Sequence, residues 1–140
     1  MDILDQDINL FLRETLIGET VDALHFWWPA LMLSTDRSTH DDITIRIEGT
    51  YILTDANGER IVRRDDFGRL EHLCALAREK IASASIVGDN DLLLQFESGI
   101  TLYLFGDNGS FEGWHVEAKS DEQFRLLVAG IGKELTFFNE

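Results

Sequence analysis

The sequence predicts an α+β fold, an antiparallel sheet of about six to eight strands with about three helices. Three observations carry this. Apolar residues recur at helical spacing near the start, at Leu4, Ile8, Phe11, Leu12 and Leu16. The run ITIRIEGTYILTD places Ile43, Ile45, Ile47, Gly49, Tyr51 and Leu53 on one face at strand spacing. Several short β-rich runs are separated by turn residues such as Asn57-Gly58 and GDND.

In chain order, a first helix is expected over about residues 3 to 16, with Asp2 or Asp5 as N-cap and Gly18 beyond its end. TVDALHFWW and ALMLSTD read as extended segments around Pro29, the only proline, and suit a hairpin. ITIRIEGTYILTD follows as one strand, and Asn57-Gly58 turns it into ERIVRR, since both residues accept the positive φ of a tight hairpin. A second helix, capped by Asp65 or Asp66, aligns Phe67, Leu70, Leu73, Cys74, Ala77 and Ile81 and buries Cys74. IASASIV, DLLLQFE and ITLYLF form a meander, and FEGWHVEA adds a strand. Ser120 and Gln123 have the spacing of a capping box for a third helix with Phe124, Leu127, Val128 and Ile131, before a last strand at LTFF.

The two halves echo each other. LHF at 24–26 matches LQF at 94–96, and IEGTYIL at 47–53 matches FEGWHVE at 111–117. A helix, paired strands and a Glu-Gly strand recur in that order, so a single domain over 1–140 with an internal duplication, about 1–65 and 66–140, is expected. In that shared register Gly113 and His115 fall on the core side with Trp114 on the opposite face, and a bulge at Gly113 would exchange them.

Composition narrows the partners. Lys and Arg number 12 against 26 Asp and Glu, a net charge of −14 that repels nucleic-acid phosphates and favours basic proteins. Cys74 is the sole cysteine, so a disulfide-free chain in the reducing cytoplasm is expected. The N-terminal MDILDQDINLFL holds three Asp and no basic residue, unlike a leader. No apolar run approaches the roughly 20 residues of a membrane helix.

No motif demands a reaction. Cys74 is expected in the core and GDNGSFEG lacks a nucleophile elbow. His25, His40, His72 and His115 show no zinc-binding spacing. Asp89-Asn90-Asp91, Asp107-Asn108-Gly109 and His40-Asp41-Asp42 suit turns and solvated loops, and no phosphate-binding glycine motif occurs. The cluster Arg60, Arg63, Arg64 and Arg69 is expected to pair with Asp65, Asp66 and Glu71. The expectation is therefore no catalytic residue, no metal and no cofactor.

Protein recognition is what these strands suit. Leu92, Leu94 and Phe96 alternate with Leu93, while Tyr103 and Phe105 oppose Leu102 and Leu104, so both faces are apolar and helices cover one. The other presents aromatic anchors beside acidic side chains, which makes Trp114, Glu112, Tyr103, Phe105 and Glu97 the interface candidates. A second covered layer, supplied by helices or by a homodimer, is the competing account of the same pattern.

LLLQFESGITLYLF followed by FEGWHVEA also resembles a pattern in small uncharacterised bacterial proteins, F-x-x-G, a strand, then (F/Y)-E-x-W. Some of that group resemble immunity proteins of polymorphic toxin systems. The similarity covers about 92–118, with LIGETVDALHF looser, and Gly113 stands where Ser is more usual. The resemblance implies a non-catalytic, acidic protein that masks a basic toxin. A small-molecule-binding or enzymatic domain and a structural homodimer are the alternatives.

Overall fold

The computed structural model describes residues 3–25, 30–34, 42–66, 69–107, 109, 112–131 and 134–139. Helix α1 (Ile3–Leu16) buries Ile8, Phe11, Leu12, Thr15 and Leu16, spaced to form one apolar stripe, and ends at Gly18 with φ of 87°. Strands β1 (Thr20–His25) and β2 (Ala30–Ser34) pair antiparallel as the expected hairpin. Pro29 lies outside the described residues.

ITIRIEGTYILTD is two strands. β3 (Asp42–Ile47) belongs to a six-stranded sheet and β4 (Tyr51–Asp55) to a five-stranded one. The alternation runs unbroken through the corner, with Ile43, Ile45, Ile47, Gly49, Tyr51 and Leu53 all buried. A run with one apolar face can thus leave one sheet for another and keep that face inward. β5 (Gly58–Val62) pairs with β4 across the expected turn. Gly58 alone of the Asn57-Gly58 pair takes positive φ, 115°, while the Asn57 N–H donates to Asp55 Oδ1 at 2.8 Å.

The second helix is shorter than predicted. α2 (Arg69–Leu73) passes into a 3-10 turn at Cys74–Leu76, and Ile81 opens a strand. With three residues per turn in place of 3.6, Leu73 and Leu76 face the core, and Cys74 is exposed rather than buried. Phe67 lies outside the described residues. β6 (Ile81–Val87), β7 (Asp91–Phe96) and β8 (Thr101–Leu104) form the expected meander.

β9 (Trp114–Lys119) returns to the six-stranded sheet beside β3. The predicted third helix is strand β10 (Phe124–Ala129), paired with β9 on one side and with β11 (Leu135–Asn139) on the other. Its apolar run fits both periods, and two neighbouring ladders decide between them. The Ser120 hydroxyl does accept the Gln123 N–H, at 3.1 Å, but the Ser120 N–H also donates to the Gln123 carbonyl, which makes a hairpin turn instead of a helix start.

The described residues thus hold eleven strands and two α-helices, more strands and one helix fewer than the sequence suggested. The sheet orders are β1-β2-β3-β9-β10-β11 and β5-β4-β8-β7-β6. A single apolar cluster lies between them, joined by α1, whose Phe11 ring meets Phe137 of β11 at 5.0 Å between centroids. The starts of β1 and β6 are tied across the sheets, Gly18 N–H to Ile81 O at 2.8 Å, Ile81 N–H to Glu19 O at 2.9 Å and Val21 N–H to Glu79 O at 2.9 Å.

The order of travel repeats. α1 precedes a meander, β1 to β3, in the six-stranded sheet, after which the chain crosses to lay down β4 and β5 in the other. α2 precedes a meander, β6 to β8, in the five-stranded sheet, after which the chain crosses to β9 and β10 and adds β11. Gly49 and Gly113, the glycines of the echoed segments, stand at these crossings, and the Glu48 and Gly49 N–H groups both donate to the Gly113 carbonyl at 3.0 Å. Leu24 and His25 lie in β1 and Leu94 to Phe96 in β7, so LHF and LQF mark different strands of their meanders.

Candidate functional site

The outer face of the five-stranded sheet is built from the residues that alternate with its core. On β4, β7 and β8 the core takes Tyr51, Leu53, Leu92, Leu94, Leu102 and Leu104. Ile52, Leu93 and Tyr103 therefore point outward, because successive side chains leave a strand on opposite faces. Register then lines them up: Ile61 opposes Ile52, Ile52 opposes Tyr103, and Tyr103 opposes Leu93. A row of four large side chains crosses four strands, and Ile61 at its end is 51% exposed. Phe105 adds to it, its ring 5.1 Å from that of Tyr103 and edge-on.

The flanking rows differ. On one side Glu59, Thr54, Thr101, Gln95 and Ser83 oppose one another in turn, and the Ser83 hydroxyl donates to Gln95 Oε1 at 2.6 Å. On the other side is buried Asp91, whose carboxylate accepts the Tyr103 hydroxyl proton and, at 2.7 Å, the Gly106 N–H. That hydrogen bond first, then desolvation and the charges of Asp91 and Asp89, push the Tyr103 phenol up to about 12. Tyr103 is thus held as a neutral donor with its ring fixed in the row.

Glycines let the chain pass beneath this junction. A Cβ on Gly106 would lie 2.1 Å from the Asn90 carbonyl oxygen, and one on Gly113 would lie 2.3 Å from that of Phe105. Asn90 itself adopts φ of 63°, and its carbonyl accepts the Trp114 indole N–H at 3.1 Å. Beyond Phe105 an open cleft of about 660 Å³ is lined by Thr50, Arg63, Arg64, Asp65, Asp66, Asp107 and Gly109. Of the arginine cluster, Arg64 pairs with Asp65 at 3.2 Å as expected, Arg60 pairs instead with Asp55 at 3.6 Å, and it is the backbone N–H of Arg63 that donates to Asp66 Oδ2 at 2.7 Å.

The five candidates from the sequence separate. Tyr103 and Phe105 stand together on the outer face. Glu97 is exposed in the turn after β7, beyond the polar row. Glu112 is exposed but belongs to the approach to the other sheet, where it pairs with His115. Trp114 is 0% exposed and cannot serve as a surface anchor in this fold. The shared-register expectation is reversed there: pressed against Phe105 and Gly106, Gly113 sets the strand so that Trp114, opposite Ile47 and Ala129, faces the core while His115 looks out. Ile52, Ile61 and Leu93 were missed as site residues, since each occupies the outward phase of a strand only once its sheet is known.

Among the described residues no group of His, Cys, Asp or Glu is placed to hold a metal ion, and no helix is long and apolar enough to cross a membrane. In comparisons with known proteins, no family model, no curated protein and no solved structure matches the chain.

Proposed function

We propose that this chain is a non-catalytic cytosolic protein-binding domain that docks a basic protein on the outer face of its five-stranded sheet. The observation that carries the reading is the row Ile61, Ile52, Tyr103 and Leu93, joined by Phe105. The strip is half-buried at Ile52, Leu93, Tyr103 and Phe105 and exposed at Ile61, an apolar patch at the surface that a partner can cover. The net charge of −14 steers a basic partner, and aromatic anchors supply area once it arrives. The same chemistry suits an immunity protein that covers a toxin. The matched order of travel in the two halves supports a duplicated helix-and-strands unit as the origin of the sheet pair.

The test is co-expression with any basic protein encoded by a neighbouring gene, scored by cell survival and by calorimetric affinity. Ile61→Lys, at a half-exposed site, is expected to leave the fold intact and weaken binding by at least about tenfold, through lost apolar contact and an added like charge. Undiminished affinity in Ile61→Lys and Leu93→Lys, or no protection from that neighbour, defeats the reading.

A further inference from the structure

The row ends at β5, and β5 is the edge of its sheet. Which of its backbone groups face outward follows from the hydrogen-bond phase. The Phe105 N–H donates to the Thr50 carbonyl at 3.1 Å, so Thr50, Ile52 and Thr54 direct their backbone groups toward β8. Tyr51, Leu53 and Asp55 then face β5, where their partners are Val62, Arg60 and Gly58. Glu59, Ile61 and Arg63 are left pointing away from the sheet. The Arg63 N–H is already taken by the Asp66 carboxylate, which closes the edge at that end. Among the described residues no strand pairs with the outward donors and acceptors of Glu59 and Ile61, and their side chains lie on the outer face with the apolar row.

Topology shows what this position accepts. In the second half of the chain, β10 is the second strand after the crossing, as β5 is in the first, and β10 is covered by β11. Among the described residues no strand takes the corresponding place beside β5. The free edge of β11 also exposes backbone groups, but it belongs to the other sheet and is not continuous with the row.

We infer that β5 accepts an extended strand from the basic partner, adding a sixth strand to the five-stranded sheet. This rests on the docking face proposed above and specifies how it is engaged. The guest strand exchanges backbone hydrogen bonds with Glu59 and Ile61. On the outer face it places an apolar side chain opposite Ile61, extending the row by one, and a Lys or Arg two residues away opposite Glu59.

The probe is a capped peptide, Lys-Thr-Val-Thr-Lys-Thr, added in millimolar excess to the intact labelled protein, with amide hydrogen exchange read by NMR. The Glu59 and Ile61 amides are expected to slow by at least about tenfold, and the effect should vanish when the valine and second-lysine nitrogens of the peptide, the ones facing β5, are methylated. Glu59→Pro removes one outward donor without touching the β4 ladder and should abolish protection at Ile61, whereas Glu59→Gln keeps the donor and retains part of it. Unchanged exchange, or equal protection by the methylated peptide, overturns strand addition. Loss of the basic partner in Ile61→Lys but not in Glu59→Pro also overturns it while leaving the docking face standing, and loss in neither removes both.

Discussion

Gly113→Ala tests the junction on which both sheets turn. A Cβ there meets the Phe105 carbonyl oxygen at 2.3 Å, the Gly106 Cα at 2.8 Å and the Gly106 oxygen at 2.9 Å, all of them backbone atoms. To restore ordinary contact the Phe105 carbonyl must retreat by roughly 1 Å. Retreat draws on the Phe105 N–H bond to Thr50 at 3.1 Å and on the Gly106 N–H bond to Asp91 at 2.7 Å. Overpacking costs about 1–3 kcal/mol and a weakened buried hydrogen bond about 1 more. Against this stands a gain of about 0.4–1 kcal/mol from the stiffer unfolded chain. The net expectation is a loss of about 1–4 kcal/mol, or about 3–15 °C in Tm at this chain length.

Gly130→Ala is the internal control. Its Cβ would find nothing nearer than the Glu134 oxygen at 3.8 Å, and its φ is not positive, so the same substitution should be neutral or stabilise by up to about 1 kcal/mol. Urea unfolding followed by circular dichroism measures both variants. Equal midpoints for Gly113→Ala and Gly130→Ala would refute the argument that close backbone approach, rather than glycine as such, is what the crossing requires.

Two further outcomes follow from the same junction. Asp91→Asn removes the charge and weakens the hydrogen bond that raise Tyr103, so tyrosinate absorbance at this residue should appear at a midpoint moved from about 12 toward 10. Because the native pKa is raised, the contribution of this phenol is present below pH 10 and is lost as pH climbs toward 12; native stability should fall over that window, and less steeply in Asp91→Asn. Trp114→Phe shrinks a fully buried ring and leaves the Asn90 carbonyl without its indole donor, a loss of about 2 kcal/mol in urea unfolding. Partner affinity should stay within about threefold, since Trp114 does not reach the surface; a larger drop with the fold intact would return it to the interface.

Local chemistry accounts for much that was legible in advance. α1 is written in one stripe and a terminal glycine, and the 81–104 meander in alternation and turns. Charge and composition likewise set the partner expectation from the chain alone. Where both periods fit the same letters, neighbours decided: FRLLVA became a strand because β9 and β11 supply its ladders, and the Ser120 hydroxyl that caps helices elsewhere closes a hairpin. Cys74 turned outward because a tighter helical pitch rotates the stripe after Leu73.

The candidate site divides along the same line. Tyr103 and Phe105 could be named from sequence because aromatics on the second face of an apolar strand stand out locally. Ile52, Ile61 and Leu93 could not, since each joins the row only through pairings such as Ile52 with Tyr103, 51 positions away. Trp114 shows the limit most sharply, for a one-residue change of phase exchanges the faces of a strand. By itself the sequence determined which stretches alternate, where the chain turns and what charge it carries, because those depend on neighbours along the chain. Only the tertiary structure decided which sheet each strand joins and which of its faces meets water, because phase is set where distant backbones touch, as at Gly113 against Phe105, and because β5 ends its sheet among the described residues.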